Sequence, residues 1–500
     1  MTDSKNGLYI LMISVHGLIR GTHLELGVNS DTGGQITYVL ELTKALAQHQ
    51  QIAQVDLVTR KIVDPKFSPD YAQEEEKLDD NARIIRVSCG PDRYIRKELL
   101  WAHLDHFVDN CLHFLCQQDR LPDLIHTHYA DAGYVGQQLS QLLGIPQVHT
   151  GHSLGRVKRD RLLAKGLKKE TLEKRYNFEQ RIQVEENLLS RVSMVITSTR
   201  QEIIDQYGLY KTKENCKYCV IQPGTDTTRF DFARRKQIDY RIFEKIDQSL
   251  AVPKKPMILA ICRPEPHKNI LGLISAYAGD SRLKNMANLV IVSGTRDDVT
   301  QLEPQQKKVW IDILCLIDKY DLWGKVSIPK YHTHEDLPIF YQCALHRRGV
   351  FVNPAFSEPF GLTLIESAAS GLPFVATENG GPTDIVANLR AGLLVNPTDS
   401  RSIADGLRQI LSDKRLWLQF SRRGILGVKK HYNWTAHVNK YVKEISSLLR
   451  SERKRWRRHR HFLQQVGGAL PLAKRALISD IDGTLIGDRL ALKKLLAQLE

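Results

Sequence analysis

The strongest constraint on the fold is an alternation of short apolar runs with longer segments of helical periodicity. "YILMISVH", residues 9–16, is followed by a helical pattern after Gly34 and then by "QVDLVTRK", residues 54–61. Runs that are apolar at nearly every position suit strands buried on both faces, and parallel strands need helical crossovers between them. The first half of the chain therefore predicts a parallel sheet covered by helices on both faces.

The alternation begins again after "AVPKKP", residues 251–256. The strand-like runs of this second series are "MILAICR", "NLVIVSGT", "KVSIPKY", "GVFVNPA", "PFVATENGG" and "AGLLVNP". We therefore predict an α/β protein with two Rossmann-like, doubly wound domains, and ligands at the carboxyl ends of the strands in the cleft between them. The predicted domains are 1–235 and 250–433, followed by helices and a basic linker over 434–463.

Composition indicates a soluble, folded chain with anionic partners. Hydrophobic residues make up 42% of the 500 residues, charged residues make up 25%, and the formal net charge is +15. That charge favours phosphates, nucleic acid or a membrane surface without choosing among them. No apolar run is long enough to span a bilayer, and "YILMISV" suits a first buried strand better than the core of a signal peptide. We expect no membrane partner.

The cysteines favour a cytoplasmic location. Eight of them are scattered through the chain, which is not the pattern of a disulfide framework. Cys216 and Cys219 form "CKYC", but a structural zinc site needs four ligands and no second pair lies at suitable spacing. We therefore interpret this motif as coincidence.

A basic run, "RSERKRWRRHRH", occupies residues 450–461. Such a run is usually a solvated helix face or a linker. Nucleic-acid binding is the alternative, but no aromatic platform or base-reading motif accompanies the run. We expect no nucleic-acid partner.

Gly33 and Gly34 stand side by side in "VNSDTGGQITYVLELTKALAQ", where a helix begins. The first N–H groups of a helix have no partner within the helix, and two residues without Cβ let a large group come within bonding distance of them. That group is usually an anion. The alternative is an ordinary helix start with a flexible approach loop.

Two glutamates mark the most specific stretch, "NPAFSEPFGLTLIESAASGLPFVATENGGPTDI", residues 353–385. Seven residues separate Glu358, in a loop after a buried strand, from Glu366, inside the following helix. The pair can contact two parts of one elongated ligand, while "PFGL" between them offers helix N–H groups to a diphosphate. The alternative is a capping glutamate and a surface glutamate.

This stretch resembles the E-x7-E signature of the retaining glycosyltransferases with GT-B architecture, and the resemblance covers most of residues 8–440. It implies that the second domain holds a nucleotide sugar and the first domain its acceptor. Glu366 would then bind the ribose, and Glu358 the hydroxyls of the sugar. The implied nucleotide-sugar ligands are Gly34, Arg263, Lys268, Glu358, Phe360, Gly361, Leu362 and Glu366.

Arg263 and Lys268 follow the first strand of the second domain in "CRPEPHKN". Positive charges at the end of a strand can stabilise a departing diphosphate in place of a metal ion. An exposed loop with incidental charges is the alternative. Similar family members often carry lysine at the position of His267, which we leave out of the site. We expect no metal and no cofactor for sugar transfer.

The acceptor should be recognised in the first domain. "HTGHSLGRVKRDRLL" places His152, Ser153 and Lys158 at the end of one strand, and "HTHYADAG" places Tyr129 at the end of another. Hydroxyls and cations that converge there suit a phosphate group, although a solvated basic helix is the alternative for residues 158–181. The implied acceptor ligands are Gly33, Gln35, Tyr129, Ser153, Lys158 and Arg181.

Within the GT-B enzymes, "GHSLGR" followed by Lys158 resembles the sucrose-phosphate synthases. This resemblance implies transfer of glucose from UDP-glucose or ADP-glucose to fructose 6-phosphate, with retention, giving sucrose 6-phosphate. His152, Glu358, Arg263 and Lys268 would be the catalytic residues, with His152 holding the glucose. Members of the family usually show paired arginines where this chain has Gln180 and Arg181, which weakens the expected grip on phosphate.

Two rival interpretations stay open: a sucrose synthase or other GT-B transferase, and a phosphatase or non-catalytic binding protein. The second rests on "ALISDIDGTLIGD", residues 476–488, which resembles the first motif of haloacid-dehalogenase-like phosphatases and is similar to the sucrose-phosphate phosphatases. Asp480 would be the nucleophile and Asp482 the acid and base, with Mg²⁺ screening the phosphate. We expect no activity from residues 474–500 alone, and a sucrose-phosphate phosphatase as a partner.

Two H-x-H motifs, at residues 126–128 and 332–334, complete the candidate residues. Histidines at alternate strand positions can face one metal ion, yet histidines held by backbone partners at strand ends are much commoner. We assign no metal to either pair.

Overall fold

The computed structural model describes residues 7–25, 31–164, 166–212, 216–230, 240–294, 296–302, 304–333 and 335–466. The chain divides into two compact units, Met1–Ser446 and Ser447–Glu500. Both sheets lie in the first unit, and the described part of the second continues the last helix. The phosphatase-like segment 474–500 and His334 lie outside the described residues.

The first sheet has eight strands in the order β3-β4-β2-β1-β5-β6-β7-β8. Every neighbouring pair is parallel except β3 and β4. The strands are β1 Leu8–Ile13, β2 Ile52–Arg60, β3 Glu75–Asp79, β4 Ala82–Val87, β5 Leu124–His128, β6 Gln147–Thr150, β7 Met194–Thr197 and β8 Tyr218–Val220.

The second sheet has six strands, all parallel, in the order β11-β10-β9-β12-β13-β14. This is the doubly wound order. The sheet starts at the central strand β9 and grows outward through β10 and β11 on one side, and then through β12, β13 and β14 on the other. The strands are β9 Met257–Ile261, β10 Asn288–Val292, β11 Val326–Ser327, β12 Val350–Asn353, β13 Phe374–Thr377 and β14 Gly392–Val395.

Helices connect the strands of both sheets and follow the last one. Those of the first half are α1 Gly34–Ala47, α2 Leu104–Cys116, α3 Tyr129–Leu143, α4 Gly155–Ala164, α5 Lys169–Tyr176, α6 Phe178–Arg191, α7 Arg200–Asp205 and α8 Tyr240–Asp247. Those of the second half are α9 Ile270–Gly279, α10 Ser281–Met286, α11 Pro304–Lys319, α12 Leu337–His346, α13 Leu362–Ala369, α14 Pro382–Leu389, α15 Ser400–Ser412, α16 Lys414–His431 and α17 Trp434–Val466. None of the described helices is both long and apolar enough to cross a membrane.

The central strand of the second sheet shows why its sequence is apolar throughout. In β9, Ile258 and Ala260 join the hydrophobic core on one face of the sheet, while Met257 and Leu259 join the core on the other. All four are at most 2% exposed. The predicted parallel sheet with two covered faces is confirmed for both domains.

The antiparallel edge strand β3 was absent from the sequence prediction. Its sequence, "EEKLD", is mostly charged and none of its residues is fully buried, so it carries no apolar pattern. Only Asp80 and Asn81 separate it from β4, and so short a connection can join only antiparallel strands.

The basic helix considered for residues 158–181 is not a single helix, because the described residues of this region belong to α4, α5 and α6. Lys165 is not described, and α5 ends at Tyr176, before Asn177, whose φ of +50° interrupts the helical backbone. Before α2 the chain forms a 3-10 helix, Lys97–His103, which contains Trp101 and leads directly into α2.

The start of α17 returns to the first domain. The ring Nδ1 of His437 pairs with the carbonyl oxygen of Gln222 at 2.7 Å, and the Tyr441 hydroxyl pairs with His126 Nδ1 at 3.1 Å. The indole of Trp434 lies against Gly224, where any side chain would collide with the ring. This part of the segment predicted as a helical linker therefore packs on β5 and on the loop after β8.

Candidate functional site

A cleft of about 670 Å³ lies between the carboxyl edges of the two sheets. The first domain supplies most of its wall, and the second supplies Ser357, Pro359, Phe360 and Gly380, which follow β12 and β13. The cleft brings together eight of the residues predicted from sequence: Gly33, Gly34, Gln35, Tyr129, His152, Ser153, Lys158 and Phe360.

The glycine pair forms the helix mouth that opens onto this cleft. Gly33 is the N-cap of α1 and has no capping side chain, and Gly34 is the first helical residue. A Cβ built on either glycine meets no atom within 4 Å, and neither glycine has a positive φ. The protein itself therefore does not require glycine here, whereas a ligand seated against the helix start would.

Lys97 was not among the sequence candidates, although it lines the cleft. Its Nζ donates to Asp31 at 2.7 Å, and the Tyr94 hydroxyl donates to the same carboxylate at 2.7 Å. Burial raises the pKa of Asp31, but these bonds and the charge of Lys97 outweigh burial and lower it to about 2. The two residues thus form a compensated ion pair beside the glycine pair.

Arg181 packs against the Tyr129 ring and lines a small void next to the cleft. Its guanidinium is 4.4 Å from the Tyr129 ring centroid, donates to Glu185 at 2.9 Å and donates to the Ser153 carbonyl at 2.6 Å. The void is also lined by Lys97 and Lys158. Arg181 is therefore present at the predicted acceptor site, but a buried carboxylate already balances its charge.

Lys158 differs from these two cations. Within the described residues it has no carboxylate at ion-pair distance, and its Nζ lies 4.5 Å from the Tyr176 ring centroid. Burial and the charges of Lys97 and Arg181 lower its pKa, against the weaker opposing effects of Glu98 and Asp31. A cation that is partly desolvated and repelled by its neighbours favours an incoming anion.

His152 and its neighbours form the base of the cleft. The residue adopts a φ of +55°, which is uncommon for residues other than glycine, and its Nε2 lies 3.0 Å from His128 Nδ1. Burial lowers the pKa of His152 to about 3, so the ring is neutral. His16, another residue missed from sequence, lines the cleft and pairs with Asp131 at 2.7 Å.

Glu358 and Lys268 meet at the carboxyl edge of the second sheet. Lys268 follows β9 and donates to the Glu358 carboxylate at 2.7 Å, and the Asn353 side chain donates to the same oxygen at 3.1 Å. Two of the predicted catalytic residues are therefore one ion pair in the free protein. The Arg263 side chain instead pairs with Glu265 and is 74% exposed.

The "NGGP" segment, residues 379–382, is hydrogen-bonded to the Glu358 loop. The Glu358 N–H donates to the Asn379 carbonyl, and the Gly381 N–H donates to the Glu358 carbonyl at 2.9 Å. Gly380 has a φ of +104°, and a Cβ there would lie 2.2 Å from the Glu358 carbonyl oxygen. The close approach of the two loops therefore requires this glycine.

Glu366 lies on α13, one turn inside the helix that starts after Gly361. Its carboxylate accepts a bond of 2.9 Å from the Tyr341 hydroxyl. Burial raises the pKa of Glu366 to about 7, against the opposing effects of Tyr341 and of the Arg229 charge. Gly361 has a φ of +101°, and Leu362, the first helical residue, is 49% exposed. None of these three predicted ligands lines the 670 Å³ cleft.

The predicted absence of metal ligation stays a prediction for both histidine pairs. His126 bonds to Thr150 and Tyr441, and His128 bonds to His152. Among the described residues, no three His, Cys, Asp or Glu side chains are grouped so as to hold a metal ion. The second pair is incomplete here, since His334 is outside the description.

The chain matches two protein families that together account for most of its length. Residues 6–247 match "Sucrose synthase first GT-B domain", and residues 242–426 match "Glycosyl transferases group 1". The boundary between the matches falls between the two sheets.

Curated relatives and solved structures agree with these matches. The chain is 40% identical to a probable sucrose-phosphate synthase 1 of Oryza sativa, over 91% of this chain and 47% of the relative. It is 39% identical to a sucrose-phosphate synthase of Zea mays, over 91% of this chain and 48% of the relative. The chain thus spans about half the length of the curated relatives it matches.

Among solved structures, a sucrose-phosphate synthase from Thermosynechococcus elongatus superimposes with a TM-score of 0.60 at 28% identity. The match covers 89% of this chain and all of the other. The catalytic domain of starch synthase IV from Arabidopsis thaliana, bound to ADP and acarbose, gives a TM-score of 0.57 at 16% identity over 89% of this chain and 99% of that one, which shows the fold alone. The GT-B fold predicted from the sequence is confirmed.

The raised pKa of Glu366 predicts a pH-dependent cost in stability. Unfolded glutamate ionises near pH 4.5, whereas folded Glu366 keeps its proton until about pH 7, so the free energy of unfolding falls as the pH rises between these values. We expect Glu366→Gln to remove this fall and to stabilise the protein by about 1 to 3 kcal/mol at pH 8, with no gain at pH 4. Denaturant unfolding across this pH range measures it.

Glu244→Gln, an exposed change in α8, is the matched control and should leave the pH profile unaltered. A Glu366→Gln gain of equal size at pH 4 and pH 8 would contradict the assignment, because it would not depend on ionisation.

Proposed function

We propose that this chain, which has the GT-B fold, is a sucrose-phosphate synthase: it transfers glucose from a nucleotide sugar to fructose 6-phosphate, with retention, and gives sucrose 6-phosphate. The observation that carries this proposal is Lys158, a cation without a carboxylate partner among the described residues, at the end of the cleft where the acceptor would lie. An acceptor with a phosphate group supplies the missing negative charge.

At the acceptor end, Lys158 binds the phosphate of the acceptor, and Lys97 and Arg181 donate further hydrogen bonds to that phosphate. The last two remain bound to Asp31 and Glu185 but keep N–H groups free to bond, since an ammonium has three donors and a guanidinium five. Tyr129, Ser153, Gly33 and Gln35 surround the fructose ring. Lys97 is the addition to the residues predicted from sequence.

At the donor end, the diphosphate lies between the start of α1 at Gly34 and the charged loop of Arg263 and Lys268. The N–H groups of residues 360–362 at the start of α13 face the same group, and Glu366 accepts hydrogen bonds from the ribose hydroxyls. Structures of the same fold carry UDP with glucose in one case and ADP in another, which supports UDP-glucose or ADP-glucose as the proposed donor.

The reaction proceeds by attack of the fructose hydroxyl on the face from which the diphosphate leaves. His152 holds the glucose, Glu358 holds its other hydroxyls, and the leaving phosphate takes the proton of the acceptor. The cations at the donor end stabilise the charge that develops on the diphosphate, the role a metal ion has in other glycosyltransferases. We propose that sugar transfer needs no cofactor; the further expectations of a cytoplasmic location and a phosphatase partner remain proposals.

Free fructose is the alternative acceptor, because the first domain also matches the family named for sucrose synthase. The two activities differ only in the phosphate on the acceptor. The partly desolvated Lys158 favours the phosphorylated sugar.

Product analysis tests the proposal directly. The full chain is incubated with UDP-glucose or ADP-glucose and with fructose 6-phosphate or fructose, and the products are identified by mass spectrometry and NMR. We expect sucrose 6-phosphate, with an α-linked glucose, from fructose 6-phosphate and at least one donor. Equal rates with free fructose would contradict the phosphate site.

Loss of the Lys158 charge should weaken acceptor binding. We expect Lys158→Met to raise the KM for fructose 6-phosphate about tenfold to a hundredfold, with a much smaller effect on the KM for the nucleotide sugar, because a charge-assisted bond to phosphate is lost. Lys174→Met removes the same charge from an exposed position on α5 and serves as the control. An unchanged acceptor KM in Lys158→Met would exclude the residue from the phosphate site.

A methyl group at the helix mouth should block the ligand without harming the fold. Gly34→Ala places its Cβ in open space and improves helix propensity, so we expect unchanged or slightly higher thermal stability. The same methyl group would occupy the diphosphate position, and we expect kcat/KM for the donor to fall at least tenfold. Gly279→Ala, in a helix with equally open space, is the control; full activity of Gly34→Ala would show that no ligand approaches α1 this closely.

A further inference from the structure

Three histidines converge at the base of the cleft, from two neighbouring strands. His126 and His128 are two residues apart on β5 and share one face of the sheet, while Thr150 ends β6 beside them and His152 lies two residues beyond it. His128 is fully buried, while His152 lines the cleft. Buried imidazole rings therefore pack behind His152, which lines the cleft.

The contact between His128 and His152 settles where their protons are. Burial lowers the pKa of His128 well below its usual value and that of His152 to about 3, so each ring is neutral and carries one N–H. The Nε2 of His128 is buried without a partner, and a buried N–H without a partner is rarer than a buried lone pair. The proton of His128 is therefore on Nδ1, which donates to His152 Nε2 at 3.0 Å.

This bond assigns the tautomer of His152 in turn. Because its Nε2 accepts from His128, its single proton must be on Nδ1. In the part of the chain that the structure describes, no residue forms a hydrogen bond with His152 Nδ1. His152 therefore offers an N–H group to whatever occupies the cleft.

The rings that surround His128 prevent it from turning. His126 lies against it with 4.2 Å between ring centroids, and both nitrogens of His126 are occupied, Nε2 by Thr150 at 3.0 Å and Nδ1 by Tyr441 at 3.1 Å. The Tyr38 ring meets both His128 and His152 edge-on, at 6.0 and 5.3 Å.

We propose that His128 is a positioning residue that fixes His152 as a neutral hydrogen-bond donor to the transferred sugar. The proposal rests on the function proposed above. A neutral N–H donor binds a sugar oxygen without placing a positive charge beside the oxocarbenium-like carbon, where an imidazolium would repel the transition state. Burial keeps the ring neutral, and His128 selects the nitrogen that carries the proton.

Three substitutions separate this role from simple packing. His128→Asn retains a donor near the position of Nδ1, His128→Asp replaces it with an acceptor of the same shape, and His128→Leu removes it. With UDP-glucose or ADP-glucose and fructose 6-phosphate, we expect kcat of the Asn variant within about threefold of the unmutated enzyme. We expect the Asp and Leu variants to lose about a hundredfold in kcat with little change in the acceptor KM. Equal kcat for Asn and Asp would overturn the proposal.

A double mutant tests that the effect passes through His152. In a His152→Ala background, His128→Asp should cause no further loss of kcat, because the ring it reorients is absent. A further loss as large as in the single mutant would show that His128 acts by another route. Thermal melting of each variant identifies losses due to unfolding; if His128→Asp does not fold, the Asn and Leu variants make the same comparison.

A third measurement is independent of catalysis. In protein labelled with ¹⁵N-histidine, the ring nitrogens of His152, assigned by its absence in His152→Ala, should report a protonated Nδ1 and an unprotonated Nε2. The opposite pattern would overturn the proposal even in an active enzyme. The two proposals can fail separately. If the unmutated chain makes no sucrose 6-phosphate but shows the expected tautomer, the proposed function is wrong and the assignment of the His152 proton stands.

Discussion

Strand direction is the constraint on which the rest of the structure depends. Apart from the edge strand β3, every strand in both sheets is parallel to its neighbours, so the loops with polar side chains leave each sheet at one edge. The first sheet brings the loops after β1, β5 and β6 to the cleft, and the second brings those after β12 and β13. Neither domain alone encloses the space, which explains why a two-substrate transfer suits this arrangement.

The two ends of the site differ in how their cations are paired with carboxylates, and this difference makes the two ends chemically distinct. In the first domain, Asp31 and Glu185 each hold one cation, whereas Lys158 has no carboxylate at ion-pair distance among the described residues. At the donor end, Lys268 is held by Glu358, and Arg263 extends into solvent beside Glu265. Under the proposed function, one end would bind the acceptor phosphate through the half-buried Lys158, while the other would present the exposed Arg263 to a diphosphate.

The sequence predicted the fold and the residues that follow strands, because both depend on local patterns. Apolar runs located the parallel strands. His152 and Lys158 could be placed since they closely follow such a run, and Gly33 could be placed since it directly precedes a helical pattern. Lys97 could not be found in this way, because it begins a 3-10 helix whose sequence carries no strand or phosphate signal. Its place beside Asp31 depends on contacts 66 residues apart, which no local pattern reports.

The free protein holds unfavourable electrostatic arrangements that substrates can relieve. Glu366 has a pKa near 7 because burial opposes its ionisation, and ribose hydroxyls would supply the hydrogen bonds that its carboxylate lacks. Lys158 is repelled by Lys97 and Arg181 until an anion arrives. Under the proposed function, each substrate would stabilise a different group, Lys158 in the first domain and Glu366 in the second, so binding energy from both would be available to draw the domains together and exclude water from the departing sugar.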